Sequence, residues 1–143
     1  MDKKDLLLMA VSAGQGTGLT PVQLQKVLFL IGESKLQGLP TVYYEFEPYN
    51  YGPFQVGVYL DADDLTLEGY VAEIPVAGKS WSAYSITPAG KERAQQAELE
   101  AGPVLAGYIK ALVQWAKSLS FSELLRAIYA QYPDFRKNSV FQG

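Results

Sequence analysis

Three carboxylates in the segment 61–64 (Asp-Ala-Asp-Asp) could bind a divalent cation, because hard cations prefer oxygen ligands. A calcium-binding EF-hand loop needs glycine at its sixth position and glutamate at its twelfth. Counting from Asp61, these positions hold Thr66 and Ala72. The segment fails the EF-hand pattern, and we predict no metal site.

Acid–base and nucleophilic chemistry have few candidate groups, because the chain contains no histidine and no cysteine. Their absence excludes disulfides, zinc sites with nitrogen or sulfur ligands, Ser–His and cysteine nucleophiles, and haem held by these ligands. Glu45 and Glu47 are two positions apart and would share one face of a strand. Two exposed glutamates are usually solvated, so we predict no catalytic residue, no cofactor and a non-enzymatic protein.

Charge is distributed unevenly along this chain of 143 residues, whose formal net charge is -3 and whose pI is about 4.9. No lysine or arginine occurs between Lys35 and Lys79, and the same stretch holds most of the tyrosines. Its acidic residues are Glu45, Glu47, Asp61, Asp63, Asp64, Glu68 and Glu73. Because a nucleic-acid-binding domain usually carries a basic patch, this distribution favours a protein partner.

The tyrosines of this acidic stretch are candidates for a protein interface, since aromatic residues are enriched at binding hot spots. Tyr44 and Phe46 are assigned to the core, whereas Tyr49 and Tyr51 fall on a predicted loop. Nearby aspartates would add an acidic surface that attracts a basic protein partner. The predicted partner-binding residues are Tyr49, Tyr51, Asp61, Asp63 and Asp64.

A DNA-binding alternative rests on the positive charges that return at Lys79, Lys91 and Arg93. DNA recognition needs cations that displace counterions and donors that reach base edges. Three charges without a basic helix would give weak and salt-sensitive binding. The alternative function is therefore a transcription regulator that uses a wing hairpin and the helix after it.

Length and composition fit a single globular domain over residues 1–143, with 48% hydrophobic residues. The longest strictly apolar run, Leu6 to Val11, is too short to span a bilayer. The charged residues 2–5 precede it and no small-residue cleavage site follows, so we predict no signal peptide. We expect no membrane association and a cytoplasmic location.

Apolar spacing, the capping boxes Thr20–Gln23 and Ser120–Glu123, and Gly or Pro breaks predict six helices. Their approximate ranges are 3–13, 20–35, 53–69, 88–100, 104–117 and 120–132. The glycines of segment 14–18 predict a flexible turn, and that segment lacks the Gly-Lys-Ser/Thr ending of a phosphate loop. After Pro133, the last ten residues are expected to form a loosely held tail.

Three strands are predicted at 42–47, 70–76 and 81–86, the last two as a hairpin. The first alternates, with Val42, Tyr44 and Phe46 on one face. Apolar residues on the helix at 104–117 form two stripes, which is typical of a helix buried on both sides or used in an interface. That helix is the candidate homodimer surface.

The order helix, helix, strand, helix, two-stranded hairpin, helix resembles that of a winged helix. The run Tyr84-Ser-Ile-Thr-Pro-Ala-Gly90 resembles the Y-x-L-T-x-x-G ending of many winged-helix regulators, where the second wing strand passes into a capped helix. The resemblance implies an α+β fold with a winged-helix-like core over about 1–100. C-terminal helices over about 103–133 would extend it.

Two further runs narrow the resemblance. Leu24-Gln-Lys-Val-Leu-Phe29 and Asn50-Tyr-Gly-Pro-Phe54 look like the helix and the turn of Panacea-domain proteins, the SocA-like antitoxins. Uncharacterised YwgA-like bacterial proteins have a similar order and a late run like Tyr132-Pro-Asp-Phe135. The resemblance covers roughly residues 20–95 and implies an antitoxin-like regulator that binds a toxin or a protease adaptor pathway.

Overall fold

The computed structural model describes residues 1–143 and has an α+β fold, with six α-helices and two small antiparallel sheets. The helices are α1 (Lys3–Ala13), α2 (Pro21–Glu33), α3 (Val56–Leu67), α4 (Pro88–Ala101), α5 (Pro103–Ser118) and α6 (Phe121–Gln131). The strands are β1 (Glu47–Tyr49), β2 (Gly52–Phe54), β3 (Val71–Pro75) and β4 (Ser82–Ile86). Two 3-10 turns lie at Gln15–Thr17 and Pro133–Arg136.

Helix α1 is the centre of the hydrophobic core. Six consecutive residues, Leu6 to Val11, are at most 2% exposed, so this helix is buried on all sides. It packs against α4 and α5 and also contacts α2, α3 and β4. The apolar run Leu6 to Val11, which is too short to span a bilayer, therefore forms the buried part of a central core helix.

The predicted capping boxes are confirmed at the starts of α2 and α6. The Thr20 hydroxyl accepts from the Gln23 N–H, and the Gln23 side chain accepts from the Thr20 N–H, over 3.2 and 3.0 Å. Ser120 and Glu123 form the same reciprocal pair. These side chains satisfy amide groups that the first helical turn leaves without partners.

The glycine-rich turn after α1 is anchored at both ends. Gly18 has φ +65°, and a Cβ there would clash with the carbonyl group of Tyr84. This close approach lets Leu19 and Tyr84 exchange two backbone hydrogen bonds of 2.9 and 2.8 Å. The ammonium of Lys117 donates to the carbonyl of Gly14. The turn therefore connects strand β4 to the helical core, a role that the sequence did not indicate.

The predicted strand at 42–47 is wrong except at its last residue. Residues 42–46 belong to no strand, and Val42 is 73% exposed. The Tyr43 hydroxyl donates to the Leu28 carbonyl, and Tyr44 donates to Asp61 over 2.6 Å. The alternating pattern suggested sheet pairing, but no strand pairs with residues 42–46. Hydrogen bonds from the Tyr43 and Tyr44 side chains hold this segment in place instead.

The predicted start of the third helix at Pro53 is also wrong, because α3 begins three residues later. Residues 47–49 and 52–54 pair as a tight antiparallel hairpin, with Asn50 and Tyr51 at its turn. Gln55 then caps α3, and its side chain accepts from the Gly57 N–H. The Tyr-Gly-Pro segment thus forms a hairpin rather than a loop followed by a helix.

The hairpin predicted at 70–76 and 81–86 is confirmed as the antiparallel pair β3 and β4. Its register joins Val71 to Ile86 and Pro75 to Ser82, and Gly78 takes φ +75° in the turn. Most side chains of β3 are exposed, whereas the middle of β4 is buried. The small sheet therefore packs on the helices mainly through β4.

The expectation of a loosely held tail is contradicted by the C-terminal residues. The Val140 N–H donates to the Asn50 carbonyl over 2.9 Å, and Tyr129 donates to the Ser139 hydroxyl over 2.7 Å. The Phe141 ring lies 6.1 Å from that of Phe121. The C-terminal residues therefore contact the β1–β2 hairpin and α6. Their amino-acid composition alone does not predict these contacts.

Helix α5 buries one of its two apolar stripes. Leu105, Ile109 and Ala116 are almost inaccessible where α5 packs on α1, α2 and α4. On the second stripe, Val104 is 72% exposed and Trp115 is 40% exposed. The use of this exposed stripe in a homodimer stays a prediction.

Candidate partner-binding site

Two buried polar residues of α2 form hydrogen bonds to the β1–β2 hairpin and the residue that follows it. The Gln25 side chain donates to the Gln55 carbonyl over 2.9 Å and accepts from the Gln55 N–H over 3.0 Å. The Lys26 ammonium donates to the Pro53 carbonyl over 3.1 Å. The sequence runs 24–29 and 50–54 are therefore in direct contact, and α2 sets the position of Tyr51 at the turn.

Lys26 is unusual for a lysine because it is only 3% exposed and no carboxylate pairs with it. Burial disfavours its charged form and lowers its pKa from 10.5 to about 8. An unfolded chain would hold this proton up to about pH 10.5. Between these values the unfolded state binds more protons, so stability rises with pH.

We expect the free energy of unfolding to rise by about 2 kcal/mol from pH 8 to pH 10 through Lys26. Above pH 10 the trend should reverse, because burial raises the pKa of Tyr84 to about 12 and unfolded tyrosines ionise first. Urea unfolding across this range measures the effect. The Lys26→Met variant should lose the rise, and Lys91→Met, at an exposed position, should keep it. A flat wild-type profile would contradict the buried charge.

A groove with a volume of about 640 Å³ opens beside the hairpin turn. Three large aromatic residues from separate elements line it: Tyr51 from the turn, Trp81 before β4, and Phe121 at the start of α6. They are 46%, 44% and 42% exposed, respectively. We call this the aromatic groove, and its other lining residues are Thr20, Pro21, Val22, Gln23, Lys79, Leu119, Ser120 and Leu124.

The aromatic groove has one charged side chain, that of Lys79. Its ammonium lies 5.2 Å from the centre of the Trp81 ring, a cation–π geometry. The nearby carboxylate of Glu123 is held by the Ser120 N–H over 2.9 Å, a bond that lowers the pKa of Glu123. The groove therefore presents apolar surface with a single positive charge at its edge.

The predicted partner-binding aspartates lie elsewhere, and none of them lines the aromatic groove. Asp61 accepts from Tyr44, whose pKa is raised by burial and by this hydrogen bond. Asp64 pairs with Lys4 over 3.2 Å, and Asp63 is exposed. The structure does not bring the aspartates and Tyr51 together in one groove.

The acidic surface of α3 receives positive charge from distant parts of the sequence. Lys4 of α1 lies 3.2 Å from Asp64 and 4.0 Å from Glu68. Arg93 of α4 lies 4.0 Å from Glu68 and binds Asp5 over 2.8 Å. Solvent weakens such pairs, but they reduce the acidic potential that the local sequence suggested.

The other predicted residues, Tyr49, Lys91 and Arg93, also lie outside the lining of the aromatic groove. Tyr49 is 53% exposed and stacks on Phe54 with the ring centres 5.1 Å apart. Lys91 is exposed on α4, whereas Arg93 is engaged by Asp5 and lies over the ring of Tyr70. Of the three DNA-binding candidates, Arg93 is thus the least available to phosphates.

Sequence reasoning missed Trp81 and Phe121 as members of a site. Phe121 follows the capping residue of α6 and reads as part of that helix's apolar stripe. Trp81 adjoins the β3–β4 turn, and a tryptophan at the end of a predicted hairpin is the local signal that could have marked it. Their proximity to Tyr51 arises from the tertiary fold.

Comparison with protein-family models, with curated proteins and with solved structures found no match to this chain. The resemblance to the Panacea group and the winged-helix interpretation of the core therefore stay predictions. No group of three or more acidic side chains is arranged to hold a metal ion. None of the helices has both the length and the hydrophobicity needed to cross a membrane.

Proposed function

We propose that this chain is a non-enzymatic, antitoxin-like regulatory protein that binds a protein partner in the aromatic groove. The observation that supports this function is the convergence of Tyr51, Trp81 and Phe121, each more than two-fifths exposed, on one concave surface. Exposed apolar patches and aromatic clusters are typical of protein interaction sites.

The construction of the site also supports this proposal. Gln25 and Lys26 hold the hairpin that carries Tyr51, and the Tyr51 ring packs edge-on against Phe121 at 5.4 Å. A preorganised contact surface loses less conformational entropy when it binds. The groove has no carboxylate in its lining, so it holds no paired-carboxylate acid–base site.

We expect the Trp81→Ser variant to lose a partner that wild-type protein captures from an extract of the native host. A tryptophan at an interface centre contributes about 2 kcal/mol or more, which is roughly a 30-fold loss of affinity. Quantitative mass spectrometry of the captured proteins measures the loss. The matched control is Trp115→Ser, because Trp115 is similarly exposed but lies outside the groove.

Equal capture of every protein by the wild type and by Trp81→Ser would contradict the proposal, provided that thermal unfolding shows both to be folded. The DNA alternative is measured with the same preparations. The Lys79→Glu/Lys91→Glu double variant is preferable to one at Arg93, because replacing Arg93 also breaks its pair with Asp5. Duplex binding that falls steeply with salt and vanishes in this variant would favour the DNA alternative.

A further inference from the structure

We infer that the partner segment bound in the aromatic groove is apolar and carries a carboxylate placed against Lys79. This inference rests on the proposed function and specifies the chemistry of the partner. It also reverses the partner charge suggested by the acidic stretch, which favours a basic partner.

Lys79 has no carboxylate partner of its own. None of the ion pairs in the protein includes it, and its ammonium lies instead 5.2 Å from the centre of the Trp81 ring. An occupant that covers Lys79 removes water from its ammonium. A desolvated charge without a partner is costly, so an occupant that supplies a carboxylate is favoured.

No negative side chain in the groove lining competes for the position beside Lys79. The lining contains no aspartate or glutamate, and Glu123 beside it is hydrogen-bonded to the start of α6. Thr20 and Ser120 place the starts of α2 and α6 at the groove. A helix start carries partial positive charge, and that of α2, which is capped by the neutral Gln23, adds to the field of Lys79, whereas at α6 the Glu123 carboxylate offsets it.

The rest of the occupant must fit a mainly apolar surface. Apart from Lys79, the surface is provided by the three aromatic residues, by Pro21 and Val22 of α2, and by Leu119 and Leu124 around the start of α6, with Thr20, Gln23 and Ser120 as the polar members. Such a surface is best filled by bulky aliphatic or aromatic side chains. A segment with lysine or arginine at the edge would instead be repelled by Lys79.

The test is a selection of random peptides displayed on phage, run in parallel against four baits: wild type, Lys79→Glu, Trp81→Ser and Lys137→Gln. Lys79 and Lys137 are exposed, so their replacement leaves the core intact. Wild type and Lys137→Gln should enrich peptides that combine bulky apolar residues with aspartate or glutamate. Lys79→Glu should enrich peptides with lysine or arginine in that place, and Trp81→Ser should enrich neither class.

An enriched peptide is then synthesised with its acidic residue and with the matching amide. Binding is followed by the fluorescence of Trp81 in a Trp115→Phe background, since the chain has two tryptophans. The amide peptide should bind about tenfold more weakly to protein with Lys79, which corresponds to about 1.4 kcal/mol. With Lys79→Gln the two peptides should bind alike.

The outcomes distinguish the inference from the function on which it rests. Apolar peptides that need Trp81 but show no acidic preference overturn the carboxylate inference and leave the groove as a partner site. The absence of any peptide whose binding depends on Trp81 overturns both. Equal preference for acidic peptides by wild type and Lys79→Glu assigns recognition to another residue and also overturns the inference.

Discussion

Replacing Gly90 with alanine should lower the free energy of unfolding by about 3 kcal/mol, because there is no room for a side chain at this position. A Cβ at Gly90 would clash with the Tyr70 carbonyl oxygen and lie 2.7 Å from the Ile86 side chain. Helix α4 cannot easily move away. The Thr87 N–H donates to the same carbonyl over 3.2 Å, and the Thr87 hydroxyl donates to the Gly69 carbonyl over 2.7 Å.

The matched control is Gly107→Ala on α5, where an added Cβ meets no atom within 4 Å. Alanine is better than glycine in a helix interior, so this variant should gain about 1 kcal/mol. Chemical unfolding with comparable denaturant slopes gives both values. A Gly90→Ala protein as stable as the wild type would show that α4 does not need this close contact with the hairpin.

The second large effect is expected at Phe29, whose replacement with alanine should cost about 4 kcal/mol of stability. The Phe29 ring packs edge-on against Phe46, Tyr132 and Phe135, with ring centres 5.5, 5.0 and 4.7 Å apart. The ring is 2% exposed, so its removal leaves a cavity and withdraws support from the segment after α6. Limited proteolysis should then cut earliest near Pro133.

Phe121→Ala is the control for Phe29→Ala, because its ring is 42% exposed and belongs to the aromatic groove. We expect it to cost about 1 kcal/mol of stability. Its larger effect should be on partner binding. Equal destabilisation by the two variants would mean that Phe29 is not the junction between α2 and the C-terminal residues.

The predictions from sequence that succeeded rest on local interactions. The caps at Thr20 and Ser120 and the β3–β4 hairpin are set by neighbouring residues, and the structure contains each of them. The prediction for 42–47 was wrong because alternation cannot say whether a second strand lies alongside. The start of α3 was misplaced because Lys26 and Gln25, distant in sequence, stabilise Pro53 and its neighbours in a hairpin.

The candidate site was only partly predictable. Tyr51 was identified because turn residues place an aromatic side chain on the surface. Trp81 and Phe121 could not be joined to it, since they lie 30 and 70 positions after Tyr51 and no periodicity spans such gaps. The distribution of charge along the sequence could not show that Arg93 pairs with Asp5, because 88 positions separate the two residues.

The sequence by itself determined the α+β composition, the six helices with their caps, the β3–β4 hairpin and a stretch without basic residues between Lys35 and Lys79. These features depend on side chains that are close together in the chain. The tertiary structure alone decided that α1 is buried on every side and that three distant aromatics form one groove beside Lys79. Contacts between remote segments depend on how the helices pack, and packing is a property of the whole fold.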